Sequence, residues 1–449
     1  MAVWSEVNTS NIFGAIRLDA EFYQPRYQEN ESKLRTFGHL TTLGQITPKF
    51  VKGIFDINAE EYTQEGIPFV RISNLRDMFI SDRNLAFISL ERHLMEPKTA
   101  LKKFDIVISK TAIPAASLVQ VDECNTSQDI IAVQTNRSPQ FNFYLVAFLN
   151  SRFGLLQMER LFQGNIQSHL SLEEARTILV PLPDEGFERE IADLMNESML
   201  MREQSSKLYS EAEMLLLDTL GLNDLNATNA STYERDFQEV ASAGRFDAQY
   251  YHPEKYEVLE ALKPMSGENI GDLFKSLNQI VDANDDFASE VQNYDLTDAL
   301  QFFLPDIAPM PIVELGSNKK RFRRGDVVIS RLRSYLKEIA IVEATSLACV
   351  GSTEFFVLRP RSEQVLSELL LVYLRSEPVQ KILRWCQDGS QHPRFKEDEL
   401  LSIKLPDRLL TIQDVVKDKV REAIQTFYDA QNLLEAAKRR VEELIEEAA

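Results

Sequence analysis

The sequence predicts an α+β protein in which one module occurs twice: two tandem β-rich domains, each closed by a long helix, with the two helices paired antiparallel. Three observations predict it. The stretch Arg17-Leu18-Asp19-Ala20-Glu21-Phe22-Tyr23-Gln24-Pro25 returns as Arg245-Phe246-Asp247-Ala248-Gln249-Tyr250-Tyr251-His252-Pro253, both reading Arg-x-Asp-Ala-x-x-Tyr-x-Pro. Further matched stretches follow each frame in the same order. Each half then ends in a long, polar-rich helical pattern.

Taken in order, residues 12–37 read as a helix broken at Gln24-Pro25, because proline disfavours helix in the residue before it. From about 40 to 145 short β-rich runs alternate with Gly, Pro, Asn and Asp. Ile67 to Ser73, Asp105 to Ser109 and Ile130 to Gln134 are the expected strands. A helix over 142–162 leads to the turn Gln163-Gly164-Asn165. Leu179 to Pro183 is a strand that its prolines confine to an edge. Residues 187–220 form one helix ended by Gly221. Its seam is Ile191, Leu194, Ser198, Met201, Ser205, Leu208, Ala212 and Leu215, weakened by its small and polar members. Asn223 to Thr232 is the linker.

The second half repeats the plan: an opening helix to about 262, β-rich runs to 359, a helix over 363–386, a turn, an edge strand, and a final helix over 410–447. That helix has the cleaner seam: Val420, Ala423, Phe427, Ala430, Leu434, Ala437, Val441 and Leu444. The expected segments are therefore 1–185, 186–222, 223–232, 233–408 and 409–449. Each long helix spans roughly 50 Å, and pairing the two would hold the β-rich domains apart at a set distance.

The matches continue between the ends. Lys102-Lys103-Phe104-Asp105-Ile106-Val107-Ile108-Ser109-Lys110 answers Arg323-Arg324-Gly325-Asp326-Val327-Val328-Ile329-Ser330-Arg331, and Asn150-Ser151 answers Arg375-Ser376. Gly164 to His169 with Leu182-Pro183 answers Gly389-Ser390-Gln391-His392 with Leu405-Pro406. Asp105 and Asp326 read as turn residues that start a strand rather than as paired acids.

Composition narrows the function. No run of about 18 apolar residues exists, so nothing is expected to span a membrane. Glu6 comes early and no cationic-then-apolar segment opens the chain, which predicts no secretory leader. Cys124, Cys349 and Cys386 are scattered, without metal spacing, which points to a reducing, cytoplasmic setting and no zinc site. A formal charge of −20 requires any polyanion to be met by local basic patches. The densest is Lys319-Lys320-Arg321-Phe322-Arg323-Arg324, followed by Arg331, Arg333 and Lys337.

No phosphate loop, dinucleotide fingerprint, nucleophile elbow, zinc-protease helix or Asn-Pro-Pro-Tyr tetrapeptide is present. The two glycine turns are dense in side chains that both donate and accept, as base-edge readers must. Gln163, Asn165, Gln167 and His169 are the candidates in the first, and Gln391, His392 and Arg394 in the second. Arg71, Ser73, Asn74, Arg76, Ser109 and Lys110 form a polar and cationic set for phosphate contact in the first half. Lys320, Arg321, Arg323, Arg331, Arg333, Tyr335 and Lys337 form its counterpart, with Ser330 and Ser334 among them. A solvated loop is the bland alternative for any one of these residues. The Arg-x-Asp-Ala frames are assigned to structure, Arg pairing with Asp, and Tyr23 and Tyr251 packing near the hinge between domain and helices.

Together, in order and twice, these stretches resemble the specificity (S) subunit of type I restriction-modification systems over essentially the whole chain. The resemblance implies a pseudo-two-fold molecule with two target-recognition domains. Each would read one half of an asymmetric, bipartite site in double-stranded DNA. The helix pair would serve as ruler and as dock for two methyltransferase subunits, with restriction subunits joining the larger complex. It further implies that this chain is not itself an enzyme and binds no cofactor, S-adenosylmethionine belonging to the methyltransferase partner. The second copy departs from the pattern at Gly389 to Pro393, two residues shorter before the exit strand, and at Lys404-Leu405-Pro406-Asp407, with one proline fewer. The alternative is an S-like scaffold of another DNA-modification or phage-defence assembly with little direct DNA contact. A bilobal enzyme has no motif behind it.

Overall fold

The two halves build similar sheets from the matched stretches. The structure, a computed structural model, describes residues 5–7, 18–55, 57–76, 78–111, 113–162, 169–223, 232–345 and 348–448. The chain divides into two compact units, Met1–Arg202 with Phe427–Ala449, and Glu203–Thr426. Each unit holds one β-rich half and half of each long helix. Most of the expected linker, residues 224–231, lies outside the described residues.

In the first unit the larger sheet runs in the order Lys49–Lys52, Ile130–Gln134, Ile106–Ser109, Ala116–Leu118, Phe79–Ile80, Leu75–Arg76. In the second the order is Phe274–Leu277, Phe355–Pro360, Val327–Ser330, Ile339–Val342, Phe303–Leu304. The strand entered from Asp105 or Asp326 lies inside this sheet and pairs antiparallel on both sides. Ile106–Ser109 and Val327–Ser330 are buried throughout, as an unbroken apolar run in a central strand should be. A second sheet in each unit carries a parallel pair, Ile67–Val70 with Glu123–Thr126 and Glu290–Tyr294 with Ala348–Ser352.

Several elements depart from expectation. The strand expected from Ile67 to Ser73 stops at Val70, and Ile72–Asn74 is a 3-10 turn that the buried Asn74 side chain holds. The helices expected over 142–162 and 363–386 are each two: Pro139–Asn150 and Arg152–Leu161, then Ser367–Arg375 and Glu377–Cys386. The breaks fall on Ser151 and Ser376, both buried, whose hydroxyls donate to the carbonyls of Phe148 and Tyr373 at 2.6 Å. A hydroxyl that bonds nearby backbone competes with the helical ladder, and that of Ser151 also accepts from the Gly154 amide at the start of the next helix. The opening helix is Pro25–Thr36, preceded by a 3-10 turn at Ala20–Tyr23. The edge strands Leu179–Pro181 and Lys404–Pro406 each pair with a single strand, Leu40–Thr42 and Gly267–Asn269.

The long helices are Glu185–Leu220 and Gln413–Glu447. Gly221 follows the first at φ 69°, the left-handed residue that closes a helix. Within the first unit Ser198 lies against Ala430 and Glu190 against Arg440. Within the second, Ser205 lies against Ala423 and Glu211 against Lys419. Partner numbers fall as the helix numbers rise, so the pairing is antiparallel in each unit. Ser198 and Ser205 do not weaken the seam as expected. Each is buried and donates its hydroxyl to the facing carbonyl, at 2.8 and 2.7 Å, which a larger side chain would prevent. The buried stripe is also wider than a two-position seam. Met195, Tyr209 and Leu216 are buried while Leu194, Met201 and Leu215 are only partly so, because each helix packs on a β-rich half as well as on the other helix.

The frame assigned to structure is built that way where described. Arg245 grips Asp247 through two bonds of 2.7 Å and donates to the carbonyls of Cys386 and Gln387. Asp247 caps the turn Ala248–Tyr251, as Asp19 caps Ala20–Tyr23, and Tyr23 and Tyr251 are buried. Arg17 lies outside the described residues.

Candidate nucleic-acid interface

A carboxylate turn aims the central strand in each unit. Asp105 accepts from the Lys102 amide at 2.7 Å and from the Gln134 side chain at 2.5 Å, and burial pushes its carboxyl above the ordinary value. Asp326, 1% exposed, accepts from the Arg323 amide at 2.9 Å and from the fork of Arg359 at 2.6 and 2.7 Å. Both strands end in a serine turned inward. Ser109 donates to the Ile113 carbonyl and accepts from the Ala115 amide, both at 2.8 Å, and Ser330 is bound to Leu332.

The residues that follow the glycine turn come back to that strand end in each unit. In the second unit Phe395 donates to the Arg331 carbonyl and Arg333 to the Pro393 carbonyl, while Arg394 bridges to Leu332 and Asp388. In the first, Leu170 donates to the Lys110 carbonyl and His169 bridges to Thr111. Two stretches about sixty residues apart in sequence are thus juxtaposed, in the same way, twice. Gln163, Asn165 and Gln167 lie outside the described residues, and His169 is exposed.

The second unit has a cleft of about 830 Å³ here, whose lining includes Lys320, Arg331, Asp388, His392, Arg394 and Glu397. The structure corrects the expectation of a free basic patch. Glu354 bonds Arg331 at 2.6 Å and Arg394 at 2.9 and 3.1 Å. The hydrogen bonds from Arg394 and then Arg331 outweigh burial and hold its carboxyl down at about 2. Arg331 and Arg394 are therefore a clamp on the loop, and Lys337 lies 3.9 Å from Glu377. The basic run 319–324 is divided by the pleat of the strand Lys319–Phe322, since alternate side chains of a strand face opposite ways. Lys320 turns inward to the Phe355 carbonyl at 2.8 Å, and its burial lowers its pKa. Arg321 lies over the Phe287 ring at 4.6 Å, exposed, as is Arg323. Arg324, counted in the patch, pairs with Glu343.

In the first half, Asn74 and Ser109 are likewise occupied by the fold. The Asn74 amide donates to the carbonyls of Ser81 and Arg83, both at 3.1 Å. Arg71 reaches the Asn84 carbonyl. Ser73, Arg76 and His169 are exposed, and Lys110 is half-buried. In the second unit Tyr335 (51% exposed), Gln391 and His392 face outward beside Arg333. Glu354 is the site residue that sequence reading missed. An isolated glutamate in a turn gives no signal until the two arginines it joins are known to be neighbours.

Sheets, turns and half-helices thus define a chain of two like units, each presenting a composite loop surface of its own. No protein-family model matches the sequence, and no curated protein matches it significantly. Among solved structures, the chain is similar to the S subunit of a type I restriction-modification system from M. genitalium, with 12% identity and a TM-score of 0.40 over 90% of this chain and 95% of that one. It is also similar to the HsdS subunit from Thermoanaerobacter tengcongensis, with 16% identity and a TM-score of 0.29 over 90% and 95%. A third is a chain from a study of complex assembly and conformational transition in the type I restriction-modification system, with 17% identity and a TM-score of 0.30 over 90% and 97%.

Among the described residues, no group of three or more His, Cys, Asp or Glu is placed to hold a metal. No described helix is long and apolar enough to cross a membrane.

Proposed function

We propose that this chain is the DNA-recognition subunit of a type I restriction-modification complex, each unit reading one half of a bipartite duplex target. The observation that carries the reading is the repeated meeting of the strand end with the segment that follows the glycine turn. One scaffold, used twice, presents unlike side chains there: Lys110 and His169 in one unit, Arg333, Tyr335, Gln391 and His392 in the other, with Ser73 exposed elsewhere on the first. Unlike surfaces on like scaffolds suit an asymmetric target. Arg76, Arg321 and Arg323 are the cations left for phosphate, and the donor-acceptor side chains of the turns are left for base edges. Gln163, Asn165 and Gln167 belong to the same reading of the first unit. The long helices are the proposed docking surface for methyltransferase subunits, which would bring S-adenosylmethionine, and for restriction subunits beyond them. The chain itself would do no chemistry and would work in the cytoplasm.

A second reading, a scaffold that touches DNA little, is favoured by the −20 charge and by the neutralising of Arg331 and Arg394. Binding of the full chain to random and selected duplexes, with salt varied and with or without a methyltransferase partner, separates the two. A reader contacting about six phosphates loses affinity with a log–log salt slope near −5. A bipartite consensus in the selected duplexes is the expected result. A flat salt profile with no consensus in either condition leaves the scaffold.

A further inference from the structure

The turn between the central strand and its neighbour in the second unit is held in an unfavourable shape. Arg333 and Lys337 both adopt left-handed backbone, φ 43° and 53°, around the 3-10 turn Ser334–Leu336 that carries the exposed Tyr335. Side chains other than glycine pay for that conformation, and such residues persist only where their surroundings over-determine them. Arg333 Nε, Ser334 Oγ and Glu338 Oε2 are buried with no hydrogen-bond partner among the described residues. The turn is closed by its own backbone, Leu336 donating to the Arg333 carbonyl at 2.9 Å and Lys337 to that of Ser334 at 2.8 Å, while those three side-chain atoms add nothing to it.

From outside, the Arg333 amide is held by the Pro393 carbonyl, and the other end of the turn is held by Arg375, the last residue of the helix Ser367–Arg375. Its Nη1 donates to the carbonyls of Lys337 and Ile339 at 2.9 and 2.7 Å, and its Nη2 to that of Leu300 at 3.3 Å. The same guanidinium lies 5.7 Å from the ring centre of Tyr209, on the central helix, and that ring stacks on Phe302 at 4.5 Å. A planar fork with fixed donor directions can hold two carbonyls in register while its face rests on an aromatic ring, which an ammonium cannot reproduce. The matched residue of the first unit, Asn150, reaches the strand at Ala116, through bonds of 2.7 and 3.4 Å, and the Val146 carbonyl of its own helix at 2.8 Å.

We propose that Arg375 is a positioning residue: it pins the Arg333–Lys337 turn and, through Tyr209, sets that turn against the central helix, so that target choice at one half-site depends on the helix. The proposal rests on the reading that this turn faces DNA. It makes the second unit the one whose specificity responds to what docks on the central helix.

The test uses the full chain, a library of duplexes randomised across both half-sites, and amide hydrogen exchange of the free protein. Arg375→Ala should relax discrimination at one half-site by about tenfold, the scale of one lost base contact, and leave the other unchanged. Unchanged exchange in the strands Val327–Ser330 and Phe355–Pro360 shows that the second unit of the variant is still folded. Arg375→Lys should recover only part, and Tyr209→Leu should relax the same half-site less. Exchange at the Leu336 and Lys337 amides should quicken in Arg375→Ala. Equal relaxation at both half-sites, or none at either, overturns the positioning role. Unchanged exchange at the turn overturns the pinning itself. A wild-type chain that selects no sequence, with exchange still quickened in the variant, overturns the DNA reading and with it the specificity claim.

Discussion

At the turn leading into the central strand, the two units place the same carboxylate in opposite electrostatic settings. Asp105 faces the neutral Gln134, and burial raises its pKa. Asp326, almost fully buried, is held by the bidentate Arg359. The backbone beside them is alike in shape and unlike in chemistry, since the left-handed position is Phe104 at φ 71° in one unit and Gly325 at φ 85° in the other. Duplication has kept the turn and let its charge and its strain diverge. The difference shows that the fold constrains backbone path and hydrogen-bond directions more tightly than it constrains which group completes them.

The largest expected effect tests that comparison directly. Asp326→Asn leaves Arg359 without its counter-charge and should cost about 3 kcal/mol, the scale for breaking one side of a buried pair, read from denaturant unfolding. Asp105→Asn keeps an acceptor for Lys102 and Gln134 and removes a charge that burial already opposes, so it should cost about 1 kcal/mol or less. Equal costs would break the comparison.

Next is Glu354→Gln, which leaves Arg331 and Arg394 without their shared carboxylate. The second glycine turn should loosen, with hydrogen exchange from Asp388 to Phe395 rising about tenfold or more. The expected loss is on the order of 2 kcal/mol, discounted because both arginines are more than a third exposed. The first unit should not respond.

Acidification sharpens the same contrast. Glu354 has a folded pKa of about 2, below its unfolded value, so its contribution is present above about pH 5 and is lost as pH falls toward 2. Asp105 has a raised folded pKa, so its ionisation opposes folding as pH rises, and acid relieves rather than harms it. Between pH 5 and 3, exchange normalised to the intrinsic rate should rise first around residues 388–395 and not around 102–106.

The smallest effect is expected at the left-handed position. Gly325→Ala meets no atom within 4 Å of the added carbon, so its cost is conformational alone, about 1 kcal/mol. Phe104→Gly gains a similar amount and loses the packing of Phe104 against Phe143, 5.4 Å between ring centres, so its net effect should be near zero.

Much of this architecture was legible in the chain. The recurrence of Arg-x-Asp-Ala, of the basic pair before a turn Asp, and of the Leu-Pro exit located both β-rich halves and the central strands. Those signals are local, resting on turn chemistry, proline and the periodicity of buried faces. The helix breaks at Ser151 and Ser376 were written in the sequence too, as the repeated Asn/Arg-Ser step. Serine within an apolar helical pattern does not announce whether it will cap or continue.

The candidate interface was legible only in part. Lys320, Asn74 and Ser109 looked like surface groups by residue type and are occupied inside the fold. Arg331 and Arg394 looked like free cations and are joined by Glu354. Which cations remain free depends on where distant acids arrive, and no local pattern encodes that.

What the sequence by itself determined is the duplication, the two long helices and the turns that aim the central strands, because each depends on patterns read locally along the chain. What only the tertiary structure decided is the pairing: Glu354 between its two arginines, Asp326 with Arg359, Arg375 beneath its turn. Each joins residues 20 to 40 positions apart, where ion pairs and hydrogen bonds follow distance in space and are blind to distance along the chain.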